Sequence, residues 1–127
     1  MSLTQWEIKG NTFELDITDA DEQDRLTSCY NVMEDAEKKI VNVGKNSDIT
    51  RAYCQLFNNF FNELFGDGTS IKLFGEKKSA LVCDEVYNSF LAFIQTQSIE
   101  STKRRATMIS KYAPNRATKR ANTKKGV

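Results

Sequence analysis

Hydrophobic residues change their spacing early in this chain, and the change marks the first boundary between elements. Over residues 4–9 they alternate loosely, with Trp6 and Ile8 on one side. Over residues 12–17 the alternation is clean: Phe13, Leu15 and Ile17 point one way, Glu14 and Asp16 the other. A period of two predicts strands, and the intervening Gly10-Asn11 pair tolerates positive φ, so the segment reads as a β-hairpin with one apolar face. An isolated hairpin is marginal in water, so that face must pack on helices.

At Thr18 the period becomes helical. Thr18 is the expected N-cap, and Asp19, Asp21, Glu22 and Asp24 put negative charge where the helix dipole favours it. Leu26, Cys29, Tyr30, Met33, Ala36, Ile40 and Val41 then form one stripe, which Gly44 and Asn46 end. A second helix, capped by Ser47 or Asp48, carries the strongest pattern in the chain. Ile49, Ala52, Tyr53, Leu56, Phe57, Phe60, Phe61, Leu64 and Phe65 recur at alternating steps of three and one, five of them large aromatics. Such a stripe has to be buried against something. Gly66-Asp67-Gly68 stops it, and Thr69 or Ser70 caps a short turn through Ile71, Leu73 and Phe74.

A further helix is expected from about Ser79 or Ala80, with a stripe of Val82, Cys83, Val86, Tyr87, Phe90, Phe93, Ile94 and Gln97. Beyond Ile99 the apolar content collapses, and helical character is expected to reach about Tyr112. Pro114, the only proline, closes the ordered part. The prediction is therefore a single α+β domain, mainly α, over residues 1–112. It comprises an N-terminal hairpin and three or four helices, followed by a basic, largely disordered tail over residues 113–127.

Composition sharpens this picture through its asymmetry. The 127 residues carry a formal charge of only +1. Yet residues 101–127 hold nine of the 18 Lys and Arg and no carboxylate, leaving nine basic against 17 acidic groups in the first hundred. An acidic body with a cationic arm implies that the arm is solvated or meets something anionic. No apolar run nears the roughly 18–20 residues that cross a bilayer, so no membrane partner is expected. Met1 to Gly10 lack the basic and apolar regions of a signal peptide. Three widely spaced cysteines (Cys29, Cys54 and Cys83) fit reduced thiols in a cytoplasm.

Candidate chemistry is sparse. Histidine is absent, which excludes imidazole bases and His metal ligands. The glycines around Asp67 match neither a dinucleotide fingerprint nor a P-loop, because Ile71 stands where the third glycine belongs and Gly75-Glu76-Lys77-Lys78-Ser79 has the wrong spacing. The carboxylates Asp16 to Asp24 lack the glycine and glutamate spacing of an EF-hand loop. The cysteines lack C-x-x-C spacing and read as packing residues. No catalytic residue, cofactor or metal is assigned, and the chain reads as a binding protein. The residues singled out are Tyr53, Phe57, Phe60, Phe61, Leu64 and Phe65 for core or partner groove, with Arg104, Arg105, Arg116, Lys119 and Arg120 for anionic contacts.

The stretches Phe60-Phe61-Asn62-Glu63-Leu64-Phe65-Gly66-Asp67-Gly68-Thr69-Ser70, Lys72-Leu73-Phe74-Gly75 and Lys111-Tyr112-Ala113-Pro114-Asn115-Arg116-Ala117 resemble small proteins from tail gene clusters of phages and prophages of Gram-positive bacteria. So does the hairpin followed by Asp19-Ala20-Asp21 at a helix start. Size and acidic helical body look like those of siphophage tail assembly chaperones. The resemblance implies a non-enzymatic protein in the host bacterial cytoplasm that coats the tape measure protein and helps tail tube subunits polymerise around it. Two alternatives stay open: a structural tail or connector component of the virion, and a nucleic-acid-binding or host-interference protein acting through residues 101–127. A homo-oligomer, with the arm on a neighbour's acidic face, is also compatible with the charge pattern.

Overall fold

The computed structural model describes residues 2–40 and 44–112. Strands β1 (Gln5–Ile8) and β2 (Asn11–Glu14) pair antiparallel, with Trp6 opposite Phe13. Four helices follow: α1 (Ala20–Lys38), α2 (Asn46–Phe65), α3 (Thr69–Phe74) and α4 (Ala80–Tyr112). The architecture is the expected α+β, mainly helical one. The expected tail over 113–127 lies outside the described residues.

The hairpin turn sits one residue earlier than the Gly10-Asn11 expectation. Lys9 (φ 51°) and Gly10 (φ 76°) are its central residues, and Asn11 already belongs to β2. Two successive positive φ values match the right-handed twist of the flanking strands. The Lys9 ammonium also donates to the Leu73 carbonyl at 2.8 Å, which ties this turn to α3.

Helix α1 is capped by Asp19 instead of Thr18. Its carboxylate accepts the Glu22 N–H at 3.0 Å, satisfying a free first-turn donor. Thr18 instead donates its hydroxyl to Asp16. The Glu22 carboxylate reaches back to accept the Asp16 N–H at 2.8 Å, so the link from hairpin to helix is hydrogen-bonded from both ends. Helix α2 begins at Asn46 with Lys45 at its cap and no side-chain capping bond, earlier than Ser47 or Asp48 predict. Asp48 serves within the first turn, paired with Arg51 at 3.4 Å. For α4 the expected Ser79 start holds: its hydroxyl accepts the Val82 N–H at 3.4 Å.

Between α2 and α3, Gly66 (φ 109°) ends the helix as its N–H bonds the Asn62 carbonyl at 2.9 Å. The Asn62 side chain then clamps α3 by accepting the Ser70 N–H at 2.8 Å and donating to the Ser70 hydroxyl at 3.1 Å. This accounts for the burial of polar Ser70 without an orphaned group.

The core lies where hairpin, α2, α3 and α4 converge. Phe61 is completely buried, with its ring centroid 5.6 Å from Trp6, 5.5 Å from Phe90 and 6.1 Å from Phe74. Trp6 places its ring between hairpin and helices while its indole N–H donates to the Ser89 hydroxyl at 3.1 Å. That bond removes the cost of burying an indole donor. Helix α1 packs on the other flank of α2, where Tyr30 stacks on Phe60 at 5.4 Å.

Candidate functional site

Helix α4 is the element that sets the available surface. Its 33 residues extend for about 50 Å, against about 30 Å for the 20 residues of α2. The inward stripe runs Cys83, Val86, Phe90 and Gln97, all buried. From Ser98 to Lys111 only Ser101 is half-buried, and every other residue is exposed. The same three-to-four spacing nevertheless continues through Ser101, Arg104 and Met108. Beyond Gln97 that face is no longer buried among the described residues.

Under that face lies an open cleft of about 620 Å³. Leu3, Thr4, Asp16 and Thr18 form one wall; Arg104, Arg105 and Met108 form the other. A second depression of about 500 Å³ adjoins it along α4, where Leu3 and Trp6 face Phe93. Asp16 is held below the usual carboxylate range by hydrogen bonds from the Thr18 hydroxyl and N–H, so it is ionised at neutral pH. The ion pairs among the described residues are Glu22–Arg25, Glu34–Lys38, Asp48–Arg51 and Glu100–Lys103, each within one helix. Arg104 and Arg105 therefore face the cleft without a carboxylate partner among the described residues.

The sequence-predicted site residues separate into three groups. Phe57, Phe60, Phe61 and Leu64 lie in the core, and Tyr53 and Phe65 are half-buried at its margin. Of the two roles left open for the stripe, the buried members have the first. Tyr53 donates its hydroxyl to the Asp84 carboxylate across α2 and α4; that bond above all, with burial added, pushes its pKa up to about 12. Arg104 and Arg105 are exposed on the free end of α4. Arg116, Lys119 and Arg120 lie outside the described residues. Sequence reasoning missed Met108, Ile109 and Ile99, which stand 51%, 62% and 49% exposed. For Met108 the signal was there: stepping by three and four from Gln97 reaches Ser101, Arg104 and Met108.

Among the described residues no three Asp, Glu or Cys side chains gather closely enough to hold a metal ion. The three cysteines are buried and free. Cys54 and Cys83 meet across α2 and α4, a pairing that sequence spacing does not reveal. Burial, then the hydrogen bond with Cys54, pushes the Cys83 thiol up to about 12, so it carries almost no thiolate at neutral pH. No described helix is long and apolar enough to cross a membrane. What the surface does offer is a cationic helix end with exposed aliphatic residues, suited to holding an anionic or amphipathic partner.

A family of unknown function (DUF6673) matches residues 9–123, and the chain belongs to that family. No curated protein and no solved structure matches it.

Proposed function

We propose that this protein is a non-enzymatic phage tail assembly protein, a chaperone that binds the tape measure protein and tail tube subunits in the host cytoplasm. The observation that carries the binding role is the uncovered end of α4, where Ile99, Met108 and Ile109 are exposed beside Arg104 and Arg105. Exposed aliphatic residues on a helix end that the body does not bury suit protein contacts. The identity of the client rests on the resemblance of the Phe60–Ser70, Lys72–Gly75 and Lys111–Ala117 stretches to tail-cluster proteins. A further groove of about 330 Å³ between α1 and α2, where Ile40, Ile49 and Leu56 lie among Lys39, Asp48 and Gln55, adds partly apolar surface. The acidic first hundred residues keep such a complex in solution.

Co-expression with a phage tape measure protein is the direct test. The client is expected to move from the insoluble to the soluble fraction, and the variant Met108→Asp/Ile109→Asp is expected to lose that effect while keeping its helical spectrum. A client that stays insoluble in both cases overturns the chaperone reading. So does stoichiometric recovery of this protein in purified particles, which makes it a virion component.

A further inference from the structure

Among the described residues the end of α4 is left exposed beside the open cleft that Leu3 and Asp16 border, and the chain carries a second surface that complements it. Residues 101–112 hold Lys103, Arg104, Arg105 and Lys111 and no carboxylate. On the opposite side of the charge balance is α1, with six carboxylates against two basic groups. Its buried stripe of Leu26 and Cys29 turns Asp21, Asp24 and Asp35 outward, with uncharged Ser28 and Asn31 between them. These three acids have no basic partner among the described residues, and Val32 stands 49% exposed beside them.

We propose that the free end of α4 docks on the outward face of α1 in a second copy of this chain. The span from Asp21 to Asp35 and the span from Ser98 to Tyr112 are each about 21 Å of helix, so the two surfaces match in length as well as in sign. Aligned in parallel over that length, Arg104 and Arg105 come within side-chain reach of Asp24, and the exposed Met108 and Ile109 lie over Val32. Because the contact joins two different surfaces, it is heterologous. Each copy keeps one free end of either kind and passes the contact on, giving a ring or a short filament. The proposal does not depend on the identity of any client.

Sedimentation equilibrium of the full chain at low and high salt tests it. The wild type is expected to associate at low salt and to dissociate at high salt, as partly exposed charge pairs do. Arg104→Glu/Arg105→Glu sets acid against acid, and Asp24→Lys sets base against base; each alone is expected to weaken association by about tenfold or more. Mixing the two variants is expected to restore it, since each reversed surface then finds its complement. Trp6 emission confirms that both variants are folded. A wild type that stays single at low salt overturns the proposal, as does association unchanged by the reversals or a mixture that fails to recover. Capture of duplex DNA by a chain that remains single also overturns it, and assigns the helix end to nucleic acid.

Discussion

Gln97 on α4 grips the chain as it leaves the hairpin, at Leu15 and Ile17. Its amide oxygen accepts the Ile17 N–H at 2.7 Å and its amide nitrogen donates to the Leu15 carbonyl at 3.0 Å. Gln97 is 1% exposed, and its bond to the Leu15 carbonyl is buried while the bond from Ile17 is partly so. The pair joins residues 80 and 82 positions apart and closes the seam between hairpin and long helix.

Replacing this amide by an apolar side chain of similar length should therefore be costly. Gln97→Met leaves a backbone N–H and a carbonyl unsatisfied in a largely buried setting, at about 2–4 kcal/mol for the two together. Urea unfolding followed by Trp6 emission measures the loss. Faster exchange of the Ile17 amide should accompany it. A stability within error of wild type would show that the two bonds are dispensable.

Among the aromatics, burial should rank the penalties. Phe61 contacts Trp6, Phe74 and Phe90, and Phe61→Ala is expected to cost about 3–5 kcal/mol. Phe65 is half-buried, and Phe65→Ala should cost clearly less. Thermal denaturation of both variants checks the order; equal losses would contradict the packing described.

Alkaline pH should weaken the fold. Burial lifts Tyr30 from its ordinary 10.0 to about 12, and the hydrogen bond to Asp84 is the main cause that lifts Tyr53 to the same value. Burial lifts Cys83 from 9.0 to about 12. Between these limits the unfolded chain has lost protons that the folded chain retains, so the unfolded state binds fewer protons and stability falls as pH rises. The contribution is fully present below about pH 9 and disappears toward about pH 12. Urea midpoints across that window should decline, and Tyr53→Phe should flatten the decline. A wild-type midpoint constant over the window would refute the assignment.

The elements that were legible in the sequence are those whose signal is local. The two-residue alternation around Phe13, the helical stripe from Ile49 to Phe65 and the start of α4 at Ser79 each depend on neighbours a turn away. Cap assignments erred where two residues competed within one turn, as Thr18 and Asp19 do. There the choice depends on the dihedral angles of the link, and the sequence specifies these only loosely. The hairpin turn shifted by one residue for the same reason: Lys9 accepts positive φ while its ammonium finds the Leu73 carbonyl, a partner 64 residues away.

The order of hairpin and helices, the aromatic stripe and the separation of acidic body from basic end were determined by the sequence alone, because periodicity and charge act over one or two helical turns. Tertiary structure decided which apolar residues were spent inside and which were left out. Phe57, Phe60, Phe61 and Leu64 went to the core, while Met108 and Ile109, on a helix end that the body does not bury, did not. It also decided that Gln97 would meet Leu15 and Ile17, and that Cys54 would meet Cys83. Such contacts depend on helix length, crossing and packing between distant segments, and no local pattern encodes them.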